Sequence, residues 1–218
     1  MPTTTPTTDP EAARLLRAAR SSRESLAAAV AAADVQRTKR ADLDILHEYR
    51  DDPVRFAQEW VGLRLWSKQR DMLNAIAQDD HVAIRSSQKS GKTEAFGIAA
   101  LWWVKTREDG RVITTASVAF QIRQIVWRTI KRLHGKAAQR GKPIGGVLHQ
   151  TPQSGLQFPD GRQIIGFTAA DAEAGGGWSG VNLLFLVDEA SGVDDGLIEA
   201  FEGNLAGGGK IAMAANPI

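Results

Sequence analysis

From Trp66 onward, short apolar runs alternate with longer stretches of helical composition. His81 to Ile84 reads as a strand, followed by a Gly/Ser/Lys loop and a helix from Thr93 to Lys105. Arg111 to Thr115 reads as a second strand, followed by a basic helix from Ala119 to Leu133. Leu156 to Phe158 and Gln163 to Phe167 flank Pro159-Asp160-Gly161. That turn sequence predicts a hairpin, because proline presets φ and glycine tolerates the positive φ a tight turn needs. Leu183 to Val187 is continuously apolar, as expected of a strand buried on both faces. Leu197 to Phe201 reads as a short helix and Ile211 to Ala215 as a last strand. Strands alternating with helices in this order predict an α/β fold with a mostly parallel central sheet flanked by helices and joined by right-handed crossovers. Trp102 and Trp103 fall on the first of these helices, which is expected to bury one face.

Upstream the pattern differs. Residues 1–10 are Thr/Pro-rich and predicted to be a disordered tail. Residues 11–52 are rich in Ala, Arg, Leu and Glu and predicted to form an N-terminal helical arm, with Asp9-Pro10 as N-cap and first-turn proline. Asp51-Asp52-Pro53 ends the arm, and Pro53 to Leu63 reads as a short helix with Phe56 and Trp60 on one face. The remaining domain spans 53–218.

Composition narrows the function classes. The chain has no cysteine, which excludes disulfides, thiolate catalysis and Cys-ligated zinc. No apolar run approaches the roughly 20 residues that span a bilayer, and the first residues lack a secretory apolar core, so no membrane role is expected. The net charge of +2 hides a segregation. Lys105 to Lys142 holds ten basic residues against two acidic ones, whereas from Asp171 onward eight acids face only Lys210. The basic stretch is either a polyanion-facing surface or a solvated helix face.

The chemistry concentrates in a few motifs. Ser86-Ser87-Gln88-Lys89-Ser90-Gly91-Lys92-Thr93 fits the phosphate-loop pattern GxxxxGK[ST], with Ser86 in place of the first glycine. Gly91 permits close backbone approach to a polyphosphate, and the loop amides and the following helix N-terminus aim positive dipoles at it. Lys92 is placed to reach the β- and γ-phosphates of ATP, and the Thr93 hydroxyl to ligate Mg²⁺. The alternative is a polar loop that only caps a helix. Leu183 to Val187 then ends in Asp188 and Glu189, at the strand edge where ligands bind in α/β sheets. Asp188 suits the Mg²⁺ shell and Glu189 suits activation of a water, unless the pair only caps the next helix. Trp66 and Gln69 ahead of the loop offer an aromatic ring and a carboxamide for a purine, or else core packing and surface. Thr115, with Thr114 and Ser117 around it, ends the second strand, where small hydroxyls leave room for a phosphate backbone or a coupling contact. Asn216 follows the last strand as an amide able to sense a γ-phosphate, or as part of an ordinary turn.

Taken in order, these motifs resemble the ATPase domain of the large terminase subunit of tailed bacteriophages. The resemblance runs from about Phe56 to Ile218, and its most specific part is the glycine-rich stretch leading into the Val187-Asp188-Glu189 strand. It implies an additional-strand (ASCE) P-loop NTPase fold and an ATP-driven motor that pumps double-stranded DNA into a procapsid. It also implies a homo-oligomeric ring on the portal vertex, with the portal protein and small terminase subunit as partners, in the cytoplasm of the bacterial host. By position, Gln69 and Trp66 would contact adenine, with Lys92 and Thr93 on the phosphates and Mg²⁺. Asp188 would serve the metal shell, Glu189 catalysis, and Asn216 coupling. Family members often carry an arginine inside the loop to act on the γ-phosphate. Here Arg85 precedes the loop and Lys89 sits within it, so either could supply that charge, and Ser86 is expected to stiffen the first turn. No nuclease activity is expected of these residues, which leaves a shortened chain or a split gene as the two readings of its length. A helicase-like ATPase on other nucleic acid, or an ATP-binding assembly module with weak turnover, are the alternative functions.

Overall fold

The computed structural model describes residues 11, 25–26, 29–30, 47–117, 121–149, 154–168, 178 and 180–217. The chain divides into two units, 1–43 and 44–218. The predicted tail lies outside the described residues, as does most of the predicted arm; Glu11, Ser25, Leu26, Ala29 and Val30 are helical. In the second unit, a helical turn Pro53–Arg55 opens into a wider π-helical stretch Phe56–Val61, and Phe56 stacks on Trp60 as their spacing predicts.

Among the described residues, seven strands and four longer helices follow. In chain order they are α1 (Ser67–Gln78), β1 (His81–Arg85), α2 (Lys92–Thr106), β2 (Arg111–Ala116), α3 (Trp127–Gln139), β3 (Val147–His149), β4 (Ser154–Gln157), β5 (Gln163–Thr168), β6 (Leu183–Asp188), α4 (Asp195–Asn204) and β7 (Lys210–Ala215). One sheet contains all seven strands, in the order β1-β7-β6-β2-β5-β4-β3. The first five in that order run parallel, and β4 and β3 are antiparallel additions. The predicted hairpin is β4–β5, with Gly161 at positive φ in its turn.

β6 shows how the apolar run builds two cores. Strand side chains alternate faces, so Leu184 and Leu186 join the larger core with the helices α1, α2 and α3. Leu183, Phe185 and Val187 join a smaller core on the other face, where Phe185 stacks on Phe201 of α4 at 4.2 Å. Burial of every β6 residue follows from this sandwiching.

α2 departs from expectation. It is buried almost all round, from Ala95 to Thr106, rather than on one face, because it packs between the sheet and the helices α1 and α3. Trp102 and Trp103 are both core, and each indole N–H has a carbonyl acceptor, Tyr49 O and Asn182 O. α3 begins later than predicted, at Trp127, and is preceded by a π-helical turn Gln121–Val126. Trp127 lies over β5, and a Cβ added at Gly166 would fall 1.9 Å from its Nε1.

Candidate active site

Parallel pairing brings four strand ends to one edge of the sheet. Arg85 pairs with Ala215, Asp188 with Ala214, and Ala116 with Asp188, so β1, β7, β6 and β2 finish almost level. The loop 86–91 leaves β1 at this edge and is tied back to β7 by a hydrogen bond from Ser86 N to Ala215 O. Across the loop the Ser86 and Ser90 hydroxyls share a 2.7 Å hydrogen bond. Gly91 caps α2 at φ 85°, a conformation natural to glycine. A Cβ there would also lie 2.7 Å from Gln69 Nε2, so the backbone is close-packed against that amide.

The side chains expected to carry chemistry then meet. Lys92 Nζ donates to Ser86 O, Ser87 O and Asn216 Oδ1 at 2.8, 3.1 and 2.8 Å. Asn216 Nδ2 donates to both Glu189 carboxylate oxygens at 3.0 Å. The Thr93 hydroxyl donates to Asp188 Oδ2 at 2.9 Å, and Glu189 N–H to Asp188 Oδ1 at 3.2 Å. Gln88 to Glu94, Asp188, Glu189 and Asn216 enclose a cleft of about 310 Å³. Two of the three described non-glycine residues at positive φ, Lys89 and Glu189, line it. Such strain costs roughly 1–3 kcal/mol per residue and concentrates where function over-determines the backbone. Burial pushes the Asp188 carboxyl above the usual range, opposed by the Thr93 hydrogen bond and reinforced by the charge of Glu189.

Gln69 is buried beside the loop and donates from Nε2 to Glu94 Oε2 at 3.0 Å. Glu94 also accepts from Arg132 Nη2 at 2.7 Å. Burial raises the Glu94 carboxyl, but these two hydrogen bonds together with the charges of Arg132 and Lys136 hold it below the usual range. Neither Glu94 nor Arg132 stands out in the sequence. Glu94 is one of many first-turn helix acids, and its partner lies 38 residues away.

Six expected residues are not among those lining the cleft: Ser86 and Ser87 reach it through their carbonyls on Lys92, Gln69 through its packing on Gly91, and the other three lie elsewhere. Trp66 caps α1 and is half exposed, outside the residues that line the cleft. Arg85 is exposed and lines a neighbouring groove of about 470 Å³ with Ala83, Ser191 and Met213, whereas Lys89 lines the cleft itself. Thr115 is buried between Phe167 and Val187 in register, and its hydroxyl has no partner among the described residues.

The basic stretch also divides. Lys105 and Arg107 are buried. Arg107 lies over the Trp102 and Trp103 rings at 4.1 and 3.7 Å and donates to Thr106 Oγ1 and Arg50 O. Burial pushes its pKa down to about 9. These two residues are therefore packing elements, while Arg128, Arg132 and Arg140 are exposed.

Fold and cleft together define the class: an α/β domain whose mostly parallel sheet carries a glycine-capped loop and a carboxylate pair at one edge. The fold is similar to that of phage large terminase ATPase domains. The ATPase domain of the Thermus phage P74-26 large terminase superposes with a TM-score of 0.59 at 17% identity, over 76% of this chain and 70% of that one. The large terminase of a second, thermophilic bacteriophage, in complex with ATP-γ-S, gives 0.52 at 15% identity, over 71% of this chain and 38% of that one. Its ADP complex gives 0.51 at 15%, over 71% and 39%. No protein-family model and no curated protein matches the chain. Among the described residues no helix is long and apolar enough to cross a membrane.

Proposed function

We propose that the chain is an ATP-hydrolysing domain of the additional-strand P-loop type, the motor part of a large terminase that drives double-stranded DNA into a procapsid. The observation that carries the reading is the meeting of Lys92, Thr93, Asp188, Glu189 and Asn216 in one cleft. The insertion of β7 between β1 and β6 supports the additional-strand assignment. The fold shared with terminases that bind ATP-γ-S and ADP supports the nucleotide.

The residues present fit MgATP. Gly91, at φ 85° with its missing Cβ facing Gln69, allows the left-handed turn that aims loop amides at a polyphosphate. The Thr93 hydroxyl and Asp188 carboxylate are hard oxygen donors of the kind Mg²⁺ takes, and one or two such ligands suffice because the ion keeps water and phosphate oxygens. Bound Mg²⁺ supplies neutralisation of the charge that develops on the transferred phosphoryl group. Lys92 exchanges its carbonyl partners for phosphate oxygens. Glu189 orients a water and accepts its proton at a carboxylate oxygen. Asn216, bonded to both Lys92 and Glu189, senses occupation of the cleft by releasing one of them. Lys89, the cleft-lining cation inside the loop, supplies further charge to the phosphates.

Glu189→Gln keeps the shape and one acceptor for Asn216 Nδ2 but removes the base. Turnover of MgATP is expected to fall by about 10³-fold or more, while calorimetric binding stays within a few-fold. Hydrolysis at the wild-type rate by this variant would remove Glu189 from the catalytic role. The portal protein, the small terminase subunit and a ring of copies on the portal vertex in the host cytoplasm belong to the same proposal.

A further inference from the structure

A second polar cleft, of about 540 Å³, opens elsewhere in the same unit. Among the described residues its lining holds three arginines, Arg64, Arg70 and Arg140, with Gln58, Gly62 and two leucines, and no carboxylate. The arginines come from three places in the chain: the segment after Gly62, the first turn of α1, and the C-cap of α3. All three are exposed, and none has a side-chain hydrogen bond or ion pair with another described residue. Carboxylates close in sequence are engaged elsewhere. Glu59 accepts from Arg55 and Tyr49 at 2.9 and 2.7 Å, and Asp71 pairs with Lys68 at 3.5 Å.

The placement of Arg140 is specific. Gly62 is left-handed at φ 73°, and a Cβ there would lie 2.6–2.7 Å from Arg140 Nε, Cζ and Nη1. The guanidinium thus lies against the Gly62 backbone, in the space a side chain would take. Its N–H donors lie in its plane and stay open to a ligand. Three like charges around one cleft repel each other, and an anion relieves that repulsion. Arginine forks match the paired oxygens of phosphate groups. Arg70 directly follows Gln69, whose amide packs on Gly91, so adjacent residues of α1 serve the two clefts.

We propose that this cleft binds phosphate groups, either the phosphodiesters of a nucleic-acid backbone or a free phosphate-bearing small molecule. The inference does not rest on the reading of the nucleotide cleft. The test is therefore run in a Lys92→Ala background, which disables that cleft. The triple variant R64A/R70A/R140A is compared with its parent on two probes: a fluorescent blunt DNA duplex followed by anisotropy across a salt series, and inorganic pyrophosphate followed by calorimetry. If the source is the nucleic-acid backbone, duplex affinity at low salt falls about 10-fold or more and the log–log salt slope drops by roughly 2–3. If the source is a small molecule, the pyrophosphate heat is lost and the duplex curves coincide. Coincident behaviour of parent and variant on both probes, or no binding by the parent to either, overturns the proposal. Should the alanine variant fail to fold, the triple lysine variant keeps the charge but loses the fork. A weaker signal on either probe supports the site, and unchanged binding on both overturns it.

Discussion

Asp188 carries two demands that pull against each other. Its carboxylate is the hard oxygen proposed for Mg²⁺, yet its burial favours the protonated acid. The folded carboxyl holds its proton to higher pH than the unfolded one. Ionising it therefore costs stability, beginning as pH climbs through the ordinary carboxylate range and complete above the raised folded value. At neutral pH the charge destabilises the ligand-free protein. Asp188→Asn keeps the shape and an acceptor for Thr93 while removing the charge. The melting temperature at pH 7 is expected to rise by about 1–4 °C, and the gain to vanish at acid pH where Asp188 is protonated. The same variant is expected to lose the magnesium dependence of nucleotide binding. A lower melting temperature at pH 7 would mean that the Asp188 contacts outweigh its burial.

Elements show which parts of the chain speak for themselves. β1, β2, β6 and β7 were legible because each is a short apolar run ending at a polar loop; the parallel sheet buries β2 and β6 throughout, while the edge strand β1 buries only Val82. Lys92, Thr93, Asp188 and Glu189 were legible because a loop motif and a strand end fix their position without any long-range information. α1 carries its signal at Gln69, Met72, Leu73 and Ile76, one helical face, but charged and polar neighbours dilute it. β3 has only three residues, of which just Leu148 is partly covered, so no periodicity could reveal it. The seating of Trp127 on Gly166 was illegible, since nothing local marks a glycine as the floor beneath an indole. That contact makes the docking of α3 on β5 sensitive to one methyl group. Gly166→Ala places a Cβ inside contact distance of a buried ring and should destabilise by about 1–3 kcal/mol, as overpacking does. Urea denaturation measures it. An unchanged midpoint would show that Trp127 can move aside without loss.

On the scale of the whole molecule, the cleft proposed for nucleotide has its cations unevenly supplied. Among the described residues Lys89 and Lys92 line it and no arginine does, because Arg85 lies in the groove next door. Phosphoryl transfer spreads negative charge over the oxygens of the moving group, and a guanidinium that stabilises this charge, in cis or from a partner, is worth about 10³–10⁵ in rate. On the proposed reading, a single copy holds nucleotide through Lys92 and the loop amides, and the described lining of the cleft brings no arginine to its turnover. If copies assemble as proposed, the cleft of one is completed by the surface of the next. The ATPase rate per molecule should then climb steeply with protein concentration, while nucleotide affinity measured at low concentration changes little. The check is a turnover assay across a wide concentration range alongside sedimentation of the same samples. The rise is expected where the larger species appears. A rate per molecule that stays flat while the protein associates would place the missing charge within the chain, with Lys89 the first residue to replace.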